Sequence, residues 1–148
     1  MKGMNSSGFT LIEMIVALSV SLCVFAQILF IGHKINAECG RRCKQAWRAV
    51  SINNALTVIQ NETRNSLGIL PASDGKRLVL DRGTYSLLFE FVSGKIKRAK
   101  NSSVQYLTDD GEMSSLAFTY PAPAIVCVTA KGMSAEIFTA EAFCRNQL

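Results

Sequence analysis

The sequence predicts an α+β protein. One long N-terminal helix, membrane-spanning in its first half and amphipathic in its second, packs on a small antiparallel β-sheet. Three observations predict it. Phe9 to Gly32 is a run of 24 residues with a single charge, Glu13. Apolar residues then recur at helical spacing as far as Ile59, with Gly68 as the expected stop. Beyond Pro71, short runs of β-branched and aromatic residues alternate with turn signals.

At about 1.5 Å rise per residue a helix of this length reaches roughly 36 Å, enough for a hydrocarbon core of about 30 Å. The 116 residues after Gly32 suffice for one modest core and not for two domains. A composition 49% hydrophobic and 18% charged, with a mean hydropathy of +0.21, excludes a disordered chain. Met1 to Gly8 is short and polar, with Lys2 its one charge. A secretory signal has its small-residue cleavage site after the apolar stretch, whereas Gly8 stands before it. A cut after Gly8 therefore keeps the apolar helix and frees an amine at Phe9.

The second half of the helix rests on spacing. Ile35, Cys39, Cys43, Ala46, Trp47, Val50, Leu56 and Ile59 recur mostly at steps of three or four and read as one helix face. On that face Trp47 reads as a core anchor. The expected strands are Arg77–Leu80, Thr84–Val92, Lys95–Lys100, Val104–Leu107, Leu116–Tyr120, Ala124–Thr129 and Ala135–Phe138. Turn signals separate them, and Ser93-Gly94 is the strongest hairpin signal. Four segments follow: 1–8, 9–32, 33–68 and a β-rich head at 69–148.

Of five cysteines, Cys23 lies in the apolar span, where a thiol behaves as a small hydrophobe. Cys39, Cys43, Cys127 and Cys144 all follow it, an even number that fits disulfides in an oxidising compartment. Three pairings are open. On a helix, residues four apart place their Cβ atoms about 5–6 Å apart, beyond the roughly 3.5–4.5 Å a disulfide needs, which disfavours Cys39 with Cys43. A tight hairpin at Lys131-Gly132-Met133-Ser134 sets Cys127 opposite Phe138 rather than Cys144. A cysteine-only zinc site requires thiolates from both ends of the chain.

The net charge of +5 is uneven. Lys34, Arg41, Arg42, Lys44 and Arg48 face Glu38 alone. A second basic run is Lys95, Lys97, Arg98 and Lys100, near Tyr85, Phe89, Phe91 and Tyr106. Cations beside aromatics suit anion or nucleic-acid contact, with phosphates held and bases stacked. The competing reading makes these aromatics the inner face of the sheet and the cations a solvated face. His33 is the only histidine, so no Ser/His/Asp or Cys/His arrangement is available. There is no phosphate-cradling glycine loop. No catalytic residue, cofactor or metal site is expected.

The string Gly8-Phe9-Thr10-Leu11-Ile12-Glu13-Met14-Ile15-Val16-Ala17-Leu18 resembles the N-terminal signature of type IV pilins and type II secretion pseudopilins. The match is in sequence and position over roughly the first 30 residues, and beyond them it is architectural. The resemblance implies a pilin fold and a leader at 1–8 cut after Gly8 by a prepilin peptidase, which also methylates the Phe9 nitrogen. It implies that Glu13 pairs with the Phe9 amine of a neighbouring subunit and sets the stagger of a helical filament. The implied partners are other pilins or pseudopilins, the peptidase, an inner-membrane assembly platform and membrane lipid. The implied location is a single pass of the bacterial inner membrane, head outside the cytoplasm, followed by a filament. A minor subunit of a pilus or secretion pseudopilus is the expected role. The alternatives are a DNA-binding minor pilin and a plain membrane-anchored binding protein.

Physical chemistry supports these pieces. A carboxylate one turn inside a hydrocarbon-length helix is costly and usually functional, and buried ion pairs specify register better than they stabilise. The competing reading has Glu13 reaching out to the headgroups. Two features depart from the family. The cations after Gly32 favour the opposite orientation by the positive-inside rule, against which stand the cysteines and the leader motif. The apolar helix also lacks the proline that many major pilins carry, leaving Gly32 to supply any local melting.

Overall fold

The computed structural model describes residues 10–144. The chain divides into two units, at Lys44 and Gln45. One helix, α1 (Leu11–Arg64), begins in the first unit and ends in the second. Eight strands follow: β1 (Gly68–Ile69), β2 (Arg77–Asp81), β3 (Ser86–Val92), β4 (Lys95–Lys100), β5 (Ser103–Tyr106), β6 (Met113–Ala122), β7 (Ile125–Gly132) and β8 (Ile137–Phe143).

In the first unit α1 has no buried side chain among the described residues. Its apolar residues stand exposed, Leu11 at 77% and Phe30 at 61%. By length and composition this stretch can cross a membrane. Its two serines satisfy their hydroxyls on the preceding turn, Ser19 on the Ile15 carbonyl and Ser21 on that of Ala17. That is the requirement for polar groups in hydrocarbon.

In the second unit α1 buries Ile52, Ala55, Leu56, Ile59 and Thr63. It ends earlier than Gly68 because Ser66 takes the Thr63 carbonyl through both its amide and its hydroxyl, closing the last turn. Gly68 opens β1 instead, a strand too short for its pattern to show in the sequence.

The strands form two antiparallel sheets rather than one, in the orders β1-β2-β3-β4-β5 and β6-β7-β8. Leu78, Leu80, Leu87, Phe89 and Ile96 from the first, and Phe118, Val126, Val128 and Ala142 from the second, share one core with the helix. Phe89 therefore fills the core, as the competing reading of the aromatics expects, while Tyr106 is 51% exposed. Ser93 and Gly94 have φ of 51° and 81°, the two left-handed residues of a type I′ hairpin.

The β7–β8 turn differs from the expected one. Lys131 pairs with Ile137 rather than Ser134 and the Gly132 amide donates to Glu136, so the register of β8 is shifted by three residues. Cys127 consequently faces Glu141, and Phe138 faces Ala130. A glycine and a serine suggested a tight turn, but Ala135 supplies the left-handed residue, at φ 64°.

Trp47 also corrects the sequence reading, being 71% exposed, with Val50 at 52%. At about 100° per residue, the six positions from Val50 to Leu56 turn the helix by about 240°. The two residues lie on different faces, and only the later one meets the core. Trp47 and Val50 instead line an open cleft of about 240 Å³ with Asn54, Tyr106 and Asp109.

The Tyr120 hydroxyl ties β6 to the start of β2 and the loop before it, lying 2.8 Å from the Arg77 carbonyl oxygen and 3.1 Å from that of Asp74. Burial pushes its ionisation up to about 12. A pKa raised on folding contributes stability that is present below the ordinary value of about 10 and lost as pH rises through the folded one. The stability advantage of the native chain over Tyr120→Phe should therefore shrink between pH 10 and 12 in thermal melts. A constant difference across that window would contradict the assignment.

Candidate functional site

The site assembles at the start of α1. Thr10 precedes the first helical residue, and its hydroxyl oxygen accepts the Glu13 amide at 3.3 Å. The Glu13 carboxylate reaches back to the Thr10 amide at 2.9 Å and to its hydroxyl at 3.0 Å. This reciprocal arrangement is a capping box, which satisfies amides that the first turn leaves without partners. Glu13 thus has a role within its own chain, one that also shields its charge at the entrance of the apolar span. The Thr-x-x-Glu spacing was the available signal, and the resemblance drew attention to Glu13 alone. Gly8 and Phe9 lie outside the described residues.

At the far end of the span the Lys34 ammonium sits 4.7 Å over the Phe30 ring. Glu38 then takes Arg41 through two bonds, at 2.8 and 3.0 Å, and Arg42 through one at 3.0 Å. The Arg41 and Arg42 guanidiniums hold the Glu38 carboxyl down to about 2. Cys39 and Cys43 are both exposed on α1.

In the second unit the basic run is largely consumed by neighbouring groups. Lys95 bonds Asp110 at 2.9 Å, and Lys97 bonds Glu90 at 2.6 Å. Asp110 raises the pKa of Lys95. Arg98 turns inward to Glu62 of α1, and Lys100 lies 4.1 Å over the Tyr85 ring. Three of the four cations already hold a carboxylate, so the row is not a free anion-binding surface.

Glu62 also takes Arg82, so one carboxylate, 16% exposed, holds two guanidiniums, one from the residue after β2 and one from within β4. The Nε atoms of Arg82 and Arg98 are buried without partners. The periodicity of α1 hid this centre, because Glu62 reads as a polar neighbour of Ile59 until the strands bring their arginines to it. A second missed carboxylate is Glu112, buried, accepting the Ser51 hydroxyl at 2.6 Å and the Asp109 amide at 3.1 Å.

All five cysteines carry free thiols. Cys144 is buried, 3.2 Å from the Ser66 hydroxyl, on the side of the second sheet that meets the core. Cys127 alternates with the buried Val126 and Val128 and points to the other side. The structure does not bring that pair together. No group of three or more metal-ligating side chains occurs among the described residues.

Residues 3–26 match the prokaryotic N-terminal methylation motif. Over this segment the chain is similar to type IV pilins and pseudopilins. The match takes in Gly8, Phe9, Glu13 and the beginning of the apolar helix, and the α+β fold behind it is consistent with a pilin fold. No curated protein and no solved structure matches the chain. Assembly with other pilins, and processing by a prepilin peptidase, follow for a pilin-like chain in general terms. Membrane anchoring follows from the same motif together with the apolar helix.

Proposed function

We propose that this pilin-like protein is a minor pilin or pseudopilin, a structural or priming subunit of a type IV pilus or a type II secretion pseudopilus. The observation that carries the reading is the methylation motif running into a helix whose apolar half buries nothing in its own chain. Such a surface is stable only in lipid or against other helices.

In this reading the peptidase cuts after Gly8 and methylates Phe9, and the head stays outside the cytoplasm. The Glu13 carboxylate is held by Thr10 in the free subunit and accepts the Phe9 amine of a neighbour on assembly. The exchange of a neutral partner for a cation favours the assembled state once water is absent. The surplus of cations between Lys34 and Arg48 supports a low-copy subunit beside different neighbours over a bulk one. No observation favours the nucleic-acid alternative, since Lys95, Lys97 and Arg98 are ion-paired.

The test is a leader-blocking variant. Gly8→Leu should retain the leader, read as the unprocessed mass, and should stay in the membrane fraction. Its recovery in sheared filaments at the native level would contradict the reading.

A further inference from the structure

Cys39 and Cys43 are exposed on α1 and carry free thiols. Four residues are a little more than one helical turn, so the two side chains leave the same face, one above the other. Their Cβ atoms stand about 5–6 Å apart, beyond the roughly 3.5–4.5 Å that a disulfide needs. Within one chain the pair therefore stays a dithiol. The same separation suits an ion held between the two sulfurs. With thiolate–metal bonds of about 2.3 Å, sulfurs on opposite sides of one ion lie roughly 4–5 Å apart. Small side-chain rotations span that distance.

The donor set selects the ion. Both donors are sulfur, which is soft, and this excludes hard cations such as magnesium and calcium. Structural zinc and iron–sulfur centres call for four ligands. No group of three or more metal-ligating side chains occurs among the described residues. Glu38, beside Cys39 in the chain, is taken by Arg41 and Arg42. His33, six residues before Cys39, lies about 120° away around the helix. What fits is a soft ion satisfied by two donors in line. Copper(I), with a closed shell and a single charge, is such an ion.

Two further features agree. Two thiolates and one copper(I) carry a net charge of −1. Arg41, Arg42 and Lys44 stand within the same stretch, and Glu38 is the one acid between Lys34 and Arg48. The local field is therefore positive and favours an anionic complex. Gly40, next to Cys43 around the helix, is the second feature. Glycine weakens a helix interior, and here a Cβ would meet nothing within 4 Å, so no packing accounts for it. Its missing side chain leaves the sulfurs open to a ligand that delivers or removes the metal.

We propose that Cys39 and Cys43 form a copper(I) site. Each thiol loses its proton to water, two copper–sulfur bonds form, and the ion stays monovalent, so no electron changes hands. The site is complete within one chain and stands apart from the filament reading.

The experiment is a competition titration of the full chain, reduced and in detergent under nitrogen, against the coloured copper(I)–bicinchoninate complex. The native chain should withdraw one copper(I) per chain, and excess zinc(II) should not displace it. Cys39→Ser and Cys43→Ser, both at exposed positions, should each weaken binding by at least about 100-fold, beyond what loss of a supporting group costs. Cys23→Ser combined with Cys127→Ser should leave binding unchanged. Cys43→Ser combined with Lys44→Cys keeps the thiol count but moves the second thiol about 100° around the helix, and should not restore binding. Failure of the native chain to withdraw copper overturns the proposal. So does withdrawal that survives either single substitution or returns with the displaced thiol. One copper(I) per two chains also overturns it, since the ion would then bridge copies instead of sitting on one helix. The filament reading is tested by processing and incorporation, and none of these results changes it.

Discussion

Glu13→Gln should be cleaved, inserted in the membrane and depleted from sheared filaments by at least about tenfold. The substitution separates the two roles of the carboxylate. Glutamine can still close a capping box with Thr10, since the motif accepts either side chain at that position. It cannot offer a negative charge to the neighbour's amine. Removing one partner of a desolvated pair costs on the order of 3–5 kcal/mol, and about 1.4 kcal/mol is already tenfold in an equilibrium. Glu13→Val removes both roles and should be no better incorporated. If Gln were recovered normally while Val was lost, Glu13 would be a helix cap and nothing more. Immunoblots of sheared and membrane fractions read the difference.

The second large effect is expected at Glu62. Glu62→Leu should destabilise the full chain in detergent by about 3–5 kcal/mol in chemical unfolding, because Arg82 and Arg98 then keep their charges with no carboxylate between them. The figure belongs to the lower half of that range, since all three side chains retain some contact with water. Arg82 also donates to the Asn65 carbonyl just past the end of α1, so the same change loosens the helix terminus. Replacing all three residues by apolar ones should restore much of the loss, as a paired buried charge stabilises little over a packed hydrophobe. A cost below about 1 kcal/mol for Glu62→Leu would make the cluster an ordinary surface pair.

These two residues show what was legible in the sequence. Glu13 stood out because the proposed chemistry there is local: the proposed cleavage site, amine and carboxylate lie within six residues, and the motif match rests on the same stretch. The hairpin at Ser93-Gly94 was legible for the same reason, two left-handed residues between alternating runs. Glu62 was not, because its partners arrive from Arg82 and Arg98, which only the fold brings to the helix.

Trp47 shows a different limit. Steps of three or four look continuous when read residue by residue, yet the face drifts, and a gap of six residues moves the pattern most of the way around. The structure separates an exposed set at Trp47 and Val50 from a buried set starting at Ile52. The division of the strands into two sheets was equally hidden, since alternation within a strand does not state which strand it pairs with. The basic run at Lys95 looked like a surface patch because its carboxylates, Glu62, Glu90 and Asp110, are distant or across a strand.

The central claim is that the chain is processed and assembled as a pilin-like subunit, and intact-mass with N-terminal peptide analysis from its native membrane tests it most directly. The account predicts a chain beginning at Phe9 with one added methyl group. A chain still beginning at Met1, in cells whose prepilin peptidase is active on other substrates, would contradict it.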